Sequence, residues 1–103
     1  MRPSIAVEEA VEQLGVNLRS ARLRRRLPQS IVAERAGISL NTLSKIENGD
    51  CGVSIGNVAS VINALGLSPL LSGLAASADD SAGLLLEERN LPQRIRKKKS
   101  AAL

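Results

Sequence analysis

At 103 residues the chain holds one small domain with extensions, which excludes an enzyme of two lobes. It contains no Phe, Tyr or Trp, so its core must be built from Leu, Ile, Val and Ala, a set that suits closely packed helices. A net charge of +4 and an isoelectric point near 10.0 favour a polyanionic partner.

Taken from the N-terminus, the first predicted element is a long amphipathic helix from Val7 to Arg26. Val7, Val11, Leu14, Leu18 and Ala21 recur at three- and four-residue steps, which sets them on one face. Glu8, Glu9 and Glu12 near its start, and Arg19 to Arg26 near its end, match the helix dipole. Pro28 ends this helix and opens a second, Pro28 to Ala36, since proline is tolerated in a first turn. After Gly37 and Ile38, Ser39 stands at an N-cap position for a third helix, Leu40 to Asn48. Gly49 terminates it, and Asp50-Cys51-Gly52 makes a loop in which Cys51 is expected to pack. Ser54 caps a fourth helix, Ile55 to Leu65, expected to bury Ile55, Val58, Val61, Ile62 and Leu65. Ser68-Pro69 then starts a short fifth helix through Leu74 or Ala75. The fold class is therefore all-α, a compact five-helix bundle over residues 1–75. Residues 76–103 are expected to be a linker and a mostly flexible basic tail. In it, Leu84, Leu85 and Leu86 interrupt small polar residues, and Arg94, Arg96, Lys97, Lys98 and Lys99 form a basic run.

The stretch from Gln29 to Gly49 carries the most chemistry. Val32, Ala33, Ala36, Ile38, Leu43 and Ile46 fall where two helices crossing steeply bury them together, with Gly37 at the turn. The second of these helices then offers Leu40, Asn41, Ser44 and Lys45 to a DNA major groove. Asn41 suits an adenine edge, and Lys45 suits guanine O6 or N7. Ser44 suits a base or a phosphate, and Leu40 a thymine methyl. Gln29, at the start of the second helix, suits a phosphate, as do Ser39 and Asn48. The alternative is an ordinary exposed polar face. Arg19, Arg24, Arg25 and Arg26 add a basic cluster, of which some members face the DNA backbone and others are solvated.

Leu14-Gly15, Arg22, Gln29, Ala33, Gly37, Leu43, Ile46-Glu47-Asn48-Gly49, Ser54 and Ala64-Leu65-Gly66 resemble, in order, the XRE/Cro-type helix-turn-helix family of lambda-repressor-like proteins. Pro28 stands where that family often has Thr, Ser or Asn. The resemblance implies a positioning pair, Arg22 with Glu47, that steers the arginine toward a phosphate; the alternative is two unrelated surface charges. Gly52-Val53-Ser54-Ile55-Gly56 and Leu91-Pro92-Gln93-Arg94-Ile95-Arg96 are further similar to HipB-like antitoxin regulators. That likeness implies a HipA-like kinase toxin as partner and an operon that the protein represses.

The expected function is thus a sequence-specific repressor. It would bind double-stranded DNA as a homodimer at a palindromic operator, because one short helix reads too few base pairs alone. A stand-alone repressor, and a protein-interaction module using the C-terminus, are the alternatives. Leu84 to Leu86 are expected to dock on a partner subunit or another protein, or else on the chain's own fourth or fifth helix. The basic tail serves as an arm for DNA, binds a partner, or solubilises the terminus. An enzyme is not expected: there is no His, no glycine-rich phosphate loop and no grouping of carboxylates. With one Cys and no His, no metal site, disulfide framework or cofactor is expected. No apolar run is long enough to span a membrane, and a cytoplasmic, nucleoid-associated location is expected.

Overall fold

Ser4 begins the regular structure. Its hydroxyl accepts from the Val7 N–H at 3.2 Å, and α1 runs Ile5–Arg24 in the computed structural model, which describes residues 2–90. The helix starts two residues before the apolar stripe because a cap, not a hydrophobe, sets its first turn. It ends at Arg24, since Arg25 leaves helical geometry and Arg26 turns to φ 54°. There follow α2 (Gln29–Ala36), α3 (Leu40–Glu47), α4 (Ile55–Ala64) and α5 (Ser68–Ser72). Pro28, Asn48 and Leu65, expected inside helices, are the caps beside them. Among the described residues every regular element is helical.

These helices form one compact unit that ends at Ser72; a second begins at Gly73. The core of the first unit is wholly aliphatic: Leu18 and Ala21 from α1, Val32 and Ala33 from α2, Leu43 and Ile46 from α3, and Val61, Ile62 and Leu65 at the end of α4. Ala36, Ile38 and Val58 pack at its edge. The buried side of α1 is narrower than its apolar stripe, with Val7 and Leu14 partly in solvent and Gly15 buried in their place. Ile55, expected in the core, is 76% exposed. As the first residue of α4 it sits on the turn before that helix meets its neighbours. Cys51 is likewise exposed, not packed.

Gly15 shows how closely the helices approach. A β-carbon there would lie 2.7 Å from the carbonyl oxygens of both Ile46 and Glu47, so the backbone of α1 rests directly on the last turn of α3. Gly49 makes a second such contact: at φ +78°, its β-carbon would fall 2.6 Å from Cα of Glu12. Two glycines thus clamp the C-terminal end of α3 against α1.

In the second unit a 3-10 turn at Ser77–Asp79 leads to a sixth helix, α6 (Ser81–Arg89). This corrects the expectation of a linker through Gly83. Asp80 Oδ1 accepts from the Gly83 N–H at 3.0 Å, an N-cap hidden in a run of small polar residues. Helix α5 stops at Ser72 instead of Leu74 or Ala75, and Ala75 itself takes φ 61°. No residue of α6 is buried, and Leu84, Leu85 and Leu86 are all exposed. Arg94, Arg96, Lys97, Lys98 and Lys99 lie outside the described residues.

Candidate nucleic-acid interface

Helix α3 has two sides of different character. Leu43 is fully buried, with Ile46 and Glu47 beside it on the inner face. The periodicity of 3.6 residues then turns Asn41, Lys45 and, just past the helix, Asn48 outward. Leu40 is 51% exposed at the first turn, where an apolar side chain in solvent has no packing role. Ser44 is half-buried at the margin of the outward face. The sequence-predicted set Leu40, Asn41, Ser44 and Lys45 thus occupies one continuous side of the helix, and Ser44 contributes least surface to it. Lys45 lines a groove of about 330 Å³ together with Asp50, Ser54 and Asn57, from the loop after α3 and the first turn of α4.

The start of α3 is fixed by Ser39. Its hydroxyl accepts from the Thr42 N–H at 3.0 Å and donates to Thr42 Oγ1 at 3.0 Å. This leaves Ser39 exposed but occupied, so a phosphate would compete with Thr42 for its proton. The sequence reading gives Thr42 no role; its place three residues after a serine cap is the signal that could have found it.

The end of α3 is held by Glu47. Arg22 Nε donates to Glu47 Oε2 at 2.7 Å and Arg22 Nη2 to Oε1 at 3.0 Å, a bidentate pair across α1 and α3. Arg22 Nη1 donates to the Leu27 carbonyl at 2.9 Å, and Gln29 Nε2 donates to Glu47 Oε1 at 3.0 Å. One carboxylate therefore joins the end of α1, the start of α2 and the end of α3. Arg22 and Glu47 are 6% and 7% exposed, and no buried side-chain polar atom among the described residues lacks a partner. The hydrogen bond that Arg22 donates to Glu47 holds its guanidinium charged above its already high range, against the opposing effect of burial. Arg22 thus lies inside the fold, with three of its five N–H groups committed, whereas Gln29 is half-buried and keeps its carbonyl oxygen.

Pro28 caps α2 with no side-chain hydrogen bond. The N–H groups of Ile31 and Val32 return to the Pro28 carbonyl, so the N–H groups of Gln29 and Ser30 open the helix without a backbone partner. The side chains of Arg19, Arg24, Arg25 and Arg26 are exposed, Arg25 donating to the Ala21 carbonyl at 2.9 Å.

Two short helices joined at Gly37, with one polar face outward and a buried strut behind it, match a known family model described as helix-turn-helix domain over residues 13–72, more than half of the chain. The chain belongs to the helix-turn-helix domain family. Membership makes it a DNA-binding regulator in kind, and proteins of this family are generally not enzymes. The match supports the XRE-like resemblance. No curated protein and no solved structure matches the chain, so the narrower HipB-like likeness rests on its sequence segments alone. No helix among the described residues is long and apolar enough to cross a membrane.

Proposed function

We propose that this helix-turn-helix protein is a sequence-specific transcriptional repressor that reads a major groove through Leu40, Asn41, Ser44 and Lys45. The observation that carries this is the outward face of α3: three of these four residues are exposed while Leu43, Ile46 and Glu47 anchor the opposite side. None of the outward side chains holds the fold together, which leaves them free for base edges. Gln29, Asn48 and Ser39 flank them as backbone contacts. Arg22 acts through Glu47 and Leu27, fixing where α2 begins and α3 ends, and not as a phosphate ligand itself. The repressor works as a homodimer on a palindromic operator, since a single α3 is too short to select a unique site.

The HipB-like segments extend this to an antitoxin that binds a HipA-like kinase and represses the operon encoding both. The exposed leucines of α6 favour a protein contact by the C-terminal unit, whether with a second copy or with such a toxin.

The test is selection of bound duplexes from a random pool, followed by footprinting upstream of the protein's own gene. A single enriched motif with two-fold symmetry is expected. Changing Asn41 and Lys45 together to Ala should abolish the preference and leave the far-ultraviolet circular dichroism unaltered. A double variant that selects the same motif would overturn the base-reading assignment.

A further inference from the structure

Four helices of the first unit end in the same way, and one of the four ends is anomalous. At the close of α2, α3 and α4 a glycine in left-handed geometry (Gly37 at φ 71°, Gly49 at 78°, Gly66 at 78°) bonds its N–H to the carbonyl three residues back, and the next residue bonds five residues back. Helix α1 closes identically: Arg26 N–H reaches the Leu23 carbonyl at 2.9 Å and Leu27 N–H the Arg22 carbonyl at 3.2 Å. The left-handed position there is held by an arginine at φ 54°. Gly37 and Gly66 have nothing within 4 Å of an added β-carbon, so only the backbone angle calls for glycine at such a turn. The same angle would suit glycine at position 26.

Nothing within the described fold accounts for the arginine. Its side chain is exposed, and among the described residues it makes no hydrogen bond or ion pair, unlike Arg2, Arg22 and Arg25. It adds a third consecutive positive charge to Arg24 and Arg25, which raises repulsion in the turn. Its position is nonetheless tightly fixed. The adjacent Leu27 carbonyl is tied by Arg22 to Glu47 at the end of α3, and Gln29 is tied to the same carboxylate.

We infer that Arg26 is a DNA-phosphate contact, kept in an unfavourable backbone conformation because its charge is needed beside the reading helix. This deepens the repressor assignment and rests on it. The Arg22–Glu47–Gln29 network carries the turn with α3, so a protein seated on DNA by α3 brings Arg26 to a set place along the backbone. An ion pair with phosphate releases counterions, a gain that no folded-state contact replaces.

The experiment compares the full-length wild type with Arg26→Gly and Arg26→Lys, binding a mixed-sequence DNA duplex across a salt series, together with thermal unfolding without DNA. The Gly variant should unfold several degrees higher, since the strained position is relieved. Its DNA affinity should fall roughly five- to tenfold near 0.1 M salt, and the slope of log affinity against log salt should shrink by about one per bound copy. The Lys variant should keep the wild-type salt slope. A Gly variant that binds with unchanged affinity and slope would overturn the inference, as would one that gains no stability. A wild type that binds no duplex at low salt would overturn the repressor assignment itself, a result distinct from either.

Discussion

Gly15 and Gly56 both lie within helices, and replacing each by alanine should move stability in opposite directions. On helix propensity alone, either change gains up to about 1 kcal/mol. At Gly56 nothing but Ser54 Oγ, at 3.9 Å, lies near the new methyl group, so that gain should survive. At Gly15 the methyl would meet two carbonyl oxygens at 2.7 Å and the carbonyl carbon of Glu47 at 3.0 Å. All three atoms are backbone in the last turn of α3, where no rotamer change can relieve the crowding. The helices must part by roughly half an ångström, and such overpacking costs about 1–3 kcal/mol before the propensity gain is subtracted. Urea unfolding followed by circular dichroism reads both variants. Gly15→Ala should lower the midpoint and Gly56→Ala should leave it equal or higher, with unchanged slopes. If Gly15→Ala raised the midpoint, α1 would not rest on the last turn of α3.

Truncating Glu47 to Ala leaves Arg22 buried and unpaired, which should destabilise by about 3–5 kcal/mol in the same assay. Replacing the pair with Arg22→Met and Glu47→Leu should recover most of that stability but still weaken specific DNA binding, because Gln29 and the turn at Leu27 lose their tie to α3. Leu43→Ala opens a void at the centre of an aliphatic core and should cost about 2–5 kcal/mol, read as a lower unfolding midpoint. The raised proton affinity of Arg22 gives stability that is complete below the ordinary arginine range and is lost only as pH rises through the higher folded value. With no histidine in the chain, the unfolding midpoint should therefore be nearly flat between about pH 6 and 8. A steep change there would point to a titrating group outside this network.

The helices were legible where a residue has a local reason to be where it is. Ser39, Ser54, Gly37, Gly49 and Gly66 mark helix ends through their own backbone chemistry, and the structure puts all five at such ends. The core of α2 and α3 followed from spacing, because a 3.6-residue period decides which side of a short helix faces inward. The misses have a different origin. Val7, Leu14 and Ile55 fit the apolar pattern, yet how far each helix extends past its neighbours is a property of the packing, not of the period. Helix α6 was hidden because alanine, serine and aspartate read as linker until Asp80 is seen to cap a turn. At the interface, the outward residues of α3 could be named from the pattern. The Arg22–Glu47 pair, 25 positions apart, was implied by the family resemblance, whereas the bonds from Arg22 to the Leu27 carbonyl and from Gln29 to Glu47 emerge only from the packing of the helices.

The division of α3 into an anchored side and a free side bears on how such a protein can change its target. Leu43, Ile46 and Glu47 commit the helix to its seat, while Leu40, Asn41 and Lys45 carry no structural duty. If α3 reads DNA as proposed, address and chassis are written on separate residues of the same eight-residue helix. A lineage or a designer can rewrite the address at three positions without first having to restabilise the chassis.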